Sequence, residues 1–401
     1  MSKVTDTKTF CMMPWVHMHL WPAGYTYPCC MADPNLPVGN TQEQSLQDIW
    51  NGHEMRKLRL NMLQDKKSPE CRRCYELEEN GMWTLRKSSN ENFKHHIDKV
   101  EQTSDDGSAG DVNMAYMDIR FSNLCNLKCR SCGPQFSSSW FEDHKITHGD
   151  PGHPKILQVR EDMKSFMDEL DPLLESVERV YWAGGEPLIT KEHYDILDKW
   201  ISMGKRDVKM DYTTNFTQMY YKRKTAFEYW NAFDNVRVAA SLDANHARGE
   251  YLRKNMDWTQ VVQNRRDMIE QCPHVYFELT PTVSVYNVLN LPDFHKEWIE
   301  EGLLEPANIR INILLDPTYM RLSILHKHQK DIVRKRYANH IDYLKQFENI
   351  DSVIGDYNNI LQFLEADKSE EQRVFLYKTQ KIDSLRNENM YSTFPELKDI
   401  V

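Results

Sequence analysis

Tyr116-Met-Asp-Ile-Arg-Phe-Ser-Asn-Leu-Cys125-Asn-Leu-Lys-Cys129-Arg-Ser-Cys132 is the stretch on which the fold turns. Its first six residues read as a buried strand. The three thiols that follow are spaced C-x-x-x-C-x-x-C, so all three leave the end of that strand into a loop. In parallel α/β architectures chemistry gathers at the carboxyl ends of the strands. Three thiolates can hold three irons of a four-iron, four-sulfur cluster and leave the fourth iron with an open position. A zinc site, or three unrelated core cysteines, remains an alternative at this point. With cysteine at about 2% of positions, the spacing arises by accident in roughly one chain in a few hundred.

Downstream of this loop, strand-like runs alternate with helical stretches. Strands are expected at Ala115 to Phe121, Val177 to Trp182, Val208 to Thr213, Val236 to Leu242, Val275 to Val283 and Ile309 to Leu314. Helices are expected at Lys164 to Leu174, Glu192 to Met203, Thr259 to Gln271 and Leu291 to Glu301. About six strands alternating with helices imply a parallel sheet with right-handed crossovers, either open or curled into a partial barrel. Upstream, five of the nine cysteines fall between Phe10 and Trp83 among turn-forming residues, as expected of a small metal-centred module. The polar stretch that ends in Thr103-Ser-Asp-Asp-Gly-Ser-Ala-Gly110 reads as a linker. The expected organisation is a cysteine-rich module at 1–87, a linker at 88–112, an α/β core at 113–324 and a helical extension at 325–401.

The 401 residues, 40% hydrophobic and 27% charged, are enough for one large domain and a smaller one. A net charge of -10 disfavours broad binding to nucleic acid, which makes that partner less expected. The polar start lacks the apolar core of a secretory signal, and no run of about 18 apolar residues appears. A cytoplasmic protein that does not span a membrane is therefore expected. In that setting nine cysteines are metal or redox ligands rather than a disulfide framework.

The cysteine spacing resembles that of the radical S-adenosylmethionine superfamily. Trp182-Ala-Gly184-Gly185-Glu186-Pro187, at the end of the second expected strand, is similar to that family's G-G-E-P motif. Thr213-Thr-Asn215 ends the third strand, Ser241-Leu-Asp243 ends the fourth, and Arg253 lies twelve residues beyond Ser241. The resemblance covers about residues 115 to 320 and implies an α/β fold with a partial (β/α)6 TIM-like barrel. It assigns Cys125, Cys129 and Cys132 to the cluster. It assigns Gly184, Gly185, Glu186 and Pro187 to the methionine end of the cofactor, and Asn215, Ser241, Asp243 and Arg253 to its remaining polar groups. Ser131 departs from the pattern, because relatives carry an aromatic residue just before the third cysteine. The implied reaction is reductive cleavage of S-adenosylmethionine to a 5'-deoxyadenosyl radical that abstracts hydrogen from a substrate.

In the N-terminal segment, Cys11, Gly24, Cys29, Gly39-Asn40, Ile49-Trp50-Asn51 and the pair Cys71-Arg-Arg-Cys74 resemble the twitch module, the half-size relative of the SPASM domain. That likeness implies a second, auxiliary 4Fe-4S cluster on Cys11, Cys29, Cys71 and Cys74, with electron transfer as its role. A structural zinc knuckle is the alternative. Relatives carry the module after the barrel, whereas here it comes first. Cys30 fits the spacing less well than Cys29. His17 and His19 are possible ligands, with packing or surface roles preferred; the stretch Met12 to Trp21 lines a substrate path or, as the preferred reading, packs the module; and Cys272 is expected to be an ordinary buried thiol. Glu278 and Asp316 are candidates to face a cavity, and the segment near Phe394-Pro-Glu-Leu397 is expected to close the barrel's open side. The implied substrate is a peptide, protein or small molecule, with an external electron donor such as flavodoxin or ferredoxin. A tRNA- or nucleotide-modifying radical enzyme is one alternative, and a non-catalytic zinc or iron-sulfur protein is another.

Overall fold

Amphipathic runs and their caps place most elements close to where the sequence puts them. Asp162 accepts from Ser165 N to start the helix Met163–Leu170, and Asp257 accepts from Gln260 N to start Trp258–Gln271. The computed structural model describes Thr5 and residues 7–398. Its strands are β1 (His17–Leu20), β2 (Tyr25–Tyr27), β3 (Gly39–Asn40), β4 (Tyr116–Ile119), β5 (Lys128–Cys129), β6 (Arg179–Trp182) and β7 (Lys209–Thr214). They continue with β8 (Tyr220–Tyr221), β9 (Lys224–Thr225), β10 (Asn235–Ala240), β11 (Arg253–Lys254), β12 (Tyr276–Leu279), β13 (Thr282–Val283) and β14 (Asn312–Ile313).

Two departures come from proline. The expected helix from Lys164 stops at Leu170 and tightens into a 3-10 stretch, Asp171–Ser176, because Pro172 has no N–H for the α ladder. The expected strand Val275 to Val283 is cut at Pro281 into β12 and β13 for the same reason.

The chain divides into two compact units. One comprises Met1–Leu124, Ile156–Asp211 and Ala232–Asn235; the other comprises Cys125–Lys155, Tyr212–Asn231 and Val236–Val401. These boundaries differ from the linear organisation expected from composition. In the first unit the strands run in the order β7-β6-β4-β1-β2-β3, and β1 pairs parallel with β4, His17 opposite Tyr116. The N-terminal cysteine segment thus extends the sheet itself. In the second unit the order is β12-β10-β7, with β10 and β12 parallel, and β13 pairs parallel with β14. The result is an α/β fold built on parallel pairs. The core of the first unit is filled by residues such as Trp15, Met18, Trp50, Met117 and Trp182, that of the second by Val238, Leu279, Phe294, Trp298 and Tyr337.

The stretch expected as a linker is structured. It contains most of the helix Leu85–Asn92, a 3-10 turn Lys94–His96 and the helix Ile97–Glu101. Its polar groups satisfy the N-terminal backbone: Met12 N donates to Asn90 Oδ1 at 2.8 Å, and Asn90 Nδ2 donates to Phe10 O at 3.1 Å. Polar composition marks a linker only where water is the partner. Among the described residues no helix is long and apolar enough to cross a membrane.

Candidate metal centres and cofactor site

The cysteine loop is held at both flanks. Cys129 lies in β5, which pairs antiparallel with β11 so that Cys129 faces Arg253. Arg253 Nη1 reaches Cys129 Sγ at 3.7 Å, and Trp140 Nε1 donates to Cys129 O at 2.7 Å. Ser139 Oγ donates to Cys125 O at 2.7 Å, and Cys132 N donates to Cys129 O at 3.0 Å. No disulfide joins any of the nine cysteines. Burial and the charges of Cys129 and Cys125 push the Cys132 thiol up to about 12. Burial also raises Cys129, against the pull of Arg253. Thiols that resist ionising together are protonated without a cation and become ligands when a metal supplies positive charge. The donor set therefore fits an iron-sulfur cluster.

Gly184 and Gly185 follow β6 with φ of +87° and +53°, in the region that side chains disfavour. A Cβ on Gly185 would stand 2.2 Å from Leu124 O, the backbone just before Cys125, and one on Gly184 would meet the Arg120 side chain. Glu186 N donates to that same Leu124 O at 2.7 Å. The buried Glu186 carboxylate accepts from Leu188 N at 3.1 Å, capping a 3-10 turn that Pro187 opens. Gly185→Ala is expected to cost about 2–4 kcal/mol, because strained φ and a backbone collision add. A urea midpoint unchanged from wild type would contradict this packing.

The other expected cofactor residues occupy strand ends in the second unit. Asn215 Nδ2 donates to Asn126 Oδ1 at 2.8 Å and lies 3.9 Å from Cys125 Sγ. Ser241 is half-buried directly after β10, with its N–H on Thr214 O. Asp243 is buried and engages Arg253 twice, at 2.8 and 3.0 Å, while also accepting from Thr282 N at 2.9 Å. Arg253 is thus already committed to Asp243 and the Cys129 sulfur, a partnership the sequence did not reveal. Glu278 is spent on Arg237 at 2.6 Å, whereas Asp316 lines a cavity.

In the first unit Cys11, Cys29, Cys71 and Cys74 lie near enough for some of them to influence one another's ionisation. Cys71 caps the helix Arg72–Glu79 and Cys74 sits in its first turn. Burial pushes Cys11 up to about 11 and raises Cys29 and Cys71 well above the usual thiol range. Cys29 feels the charges of Cys71 and Cys11, and Cys71 those of Cys11 and Cys74. Cys30 is exposed and is also near Asp118, Arg120 and Cys74. His17 and His19 are buried in β1, the first on Tyr116 O at 2.8 Å and the second paired with Asp118 at 3.0 Å.

Residues 11–75 match SPASM, an iron-sulfur cluster-binding domain. The SPASM segment contains Cys11, Cys29, Cys71 and Cys74, the four assigned to the auxiliary site. Cys29→Ala is expected to remove this segment's iron while Cys30→Ala retains it; equal iron in both variants would move the ligand to Cys30. Among solved structures, the chain is similar to native anSMEcpe with bound AdoMet, at 17% identity and a TM-score of 0.37 over 59% of this chain and 60% of that one. It is also similar to Streptococcus suis SuiB bound to S-adenosylmethionine, at 14% identity and 0.38 over 68% and 57%. A third is TYW1 with a lysine-pyruvate adduct bound, at 13% identity and 0.29 over 55% and 70%. The chain thus spans about three fifths of the length of the first two. No curated protein matches it.

Sequence reasoning missed the clamp on the cysteine loop. Arg130, between Cys129 and Cys132, is buried against Tyr251 and ion-paired with Asp383 at 2.5 Å and Glu388 at 2.6 Å. Arg386 pairs with Asp143 at 3.0 Å and lies over Trp140. An arginine inside the cysteine motif was the available signal, but its acidic partners lie some 250 positions away. Beside the loop is a cavity of about 300 Å³ lined by Cys132, Phe136, His148, Tyr286, Asp316 and Lys378 among others.

Proposed function

We propose that this chain is a radical S-adenosylmethionine enzyme acting on a peptide, protein or small molecule, with Cys125, Cys129 and Cys132 holding the cofactor-binding 4Fe-4S cluster. We read β4, β6, β7, β10, β12 and β14 as a partial barrel, and the SPASM segment as the seat of a second 4Fe-4S cluster. The observation that carries the reading is the loop itself: three thiols, not four, fixed at a strand end by Arg253 and Trp140 and open on one side to a cavity.

When bound, the cluster would supply the electron that splits S-adenosylmethionine into methionine and a 5'-deoxyadenosyl radical able to take hydrogen from unactivated carbon. The chain's own residues bind and orient. Arg253 places a positive charge against the Cys129 sulfur, which favours the thiolate. Gly184 and Gly185 let the turn after β6 pack directly against Arg120 and Leu124, just ahead of the cysteine loop, and to this turn the resemblance assigns the methionine end. Asn215 and Ser241 offer polar groups for the ribose, and Arg253, oriented by Asp243, offers a positive charge for the carboxylate. Phe136, Tyr286 and Tyr319 give the cavity aromatic walls, while Lys378 and His148, 3.3 Å apart, also line it. That lining suits a substrate with an apolar body and an acidic group. The electron would come from an external donor of the flavodoxin or ferredoxin kind.

The test is anaerobic reconstitution with iron and sulfide, followed by S-adenosylmethionine and dithionite. Formation of 5'-deoxyadenosine is expected. Its absence, with the loop's cluster in place and the cofactor bound, would overturn the reading.

A further inference from the structure

Among the described residues, and apart from the cysteines, one group of side chains in the first unit has the make-up of a metal site. His95 and His96 end the 3-10 turn Lys94–His96, and Glu178 stands immediately before β6. His95 Nε2 lies 2.8 Å from Glu178 Oε2, and His96 Nε2 lies 2.8 Å from Glu178 Oε1. One donor atom from each of the three residues lies within 4.8 Å of the other two.

We propose that His95, His96 and Glu178 bind one divalent transition-metal ion of the zinc class. Two imidazoles and one carboxylate are borderline ligands suited to zinc and its first-row neighbours. Tetrahedral bonds of about 2.0–2.2 Å to such an ion place neighbouring donors about 3.4 Å apart, wider than the two 2.8 Å contacts seen here and inside the 4.8 Å that encloses all three donors. Small side-chain rotations would therefore admit the ion between the carboxylate and the two rings. The backbone is already set. Glu178 N donates to Ala115 O at 2.8 Å, Glu178 O accepts from Lys209 N at 2.9 Å, and His96 N donates to Phe93 O at 3.0 Å. The imidazole rings lie 4.3 Å apart, centroid to centroid. Burial first, and then the Lys99 charge, lower His96 below its ordinary value. Lys99 is a neighbouring cation that works against an ion there. His95 and Glu178 are partly exposed, so water completes the coordination. The ion would tie the segment after the SPASM module to the first residue ahead of β6.

The experiment uses the full chain, stripped with a chelator and titrated with Zn²⁺ against a chromophoric competitor. It is run beside His95→Ala/His96→Ala and the near-isosteric Glu178→Gln, each first shown by circular dichroism to be folded. Zinc held by cysteines is common to all three proteins and cancels. Wild type is expected to bind one equivalent more than the double variant, and Glu178→Gln to bind that equivalent at least ten-fold more weakly. Zinc should also slow proteolysis of residues 88–112 in wild type alone. Equal stoichiometry and affinity in all three proteins would overturn the proposal and leave a carboxylate bridged by two imidazoles.

Discussion

Cys129→Ala is expected to give a folded protein that makes no 5'-deoxyadenosine above the enzyme-free background. The substitution removes one sulfur and little else. The β5–β11 pairing is made by backbone, and Trp140 donates to the carbonyl of residue 129, so both survive. What is lost from the fold is the 3.7 Å contact with Arg253, and the cost to stability should be about 1 kcal/mol. Two remaining thiols cannot seat a four-iron cluster with one open iron, so bound iron should fall from about eight to about four atoms per chain. Urea unfolding, iron analysis and the product assay separate these effects. A folded variant that still forms product would remove the loop from the chemistry. Cys71→Ala should instead lose the other four irons and keep the loop's own, which distinguishes a defect at one site from general loss of iron.

What could be read from the sequence was what depends on near neighbours. The sequence puts strand ends at Trp182, Thr213 and Leu242, ahead of Gly184, Asn215 and Asp243, and the structure ends β6, β7 and β10 at Trp182, Thr214 and Ala240, within two residues of each. The cysteine loop was legible as a candidate because its three thiols lie within eight residues. The cysteine-rich segment was legible from its thiol spacing, and residues 11–75 match the SPASM domain. Pairings between distant segments were not. Polar composition at 88–112 suggested a solvated linker, yet Asn90 and its neighbours satisfy backbone near Cys11, some 80 positions away. The parallel pairing of β1 with β4 spans about 100 positions and leaves no periodic trace, because His17 and His19 are buried polar residues where an apolar run would be expected. Arg253 matched a family spacing, but nothing in sequence reveals that Asp243 would hold it.

The same limit hides Arg130, whose replacement by alanine is expected to cost the second unit about 3 kcal/mol. Its guanidinium is almost wholly buried; besides the bonds to Asp383 and Glu388, its Nε donates to Tyr251 O at 3.2 Å and its plane lies 3.5 Å from the Tyr251 ring centroid. Removing one member of a buried ion pair leaves the other uncompensated, an effect of about 3–5 kcal/mol. Two details place the outcome at the lower end: Asp383 keeps Tyr251 Oη at 2.8 Å and Met390 N at 2.8 Å, and Glu388 keeps Lys254 at 2.9 Å. Arg130→Lys should recover less than half of the loss, since one ammonium cannot bridge two carboxylates and stack on an aromatic ring at once. The consequence extends to chemistry because Arg130 lies between two ligands and its partners lie in and after the helix Gln372–Arg386, which also supplies Lys378 to the cavity beside Cys132. Loosening that helix should open the cavity and speed bleaching of the loop's cluster in air. A variant with wild-type urea midpoint and bleaching rate would show that the carboxylates are satisfied without Arg130. In a double-mutant cycle, Arg130→Ala and Asp383→Ala should together cost less than the sum of the two alone, because the second change removes the charge that the first leaves unpaired.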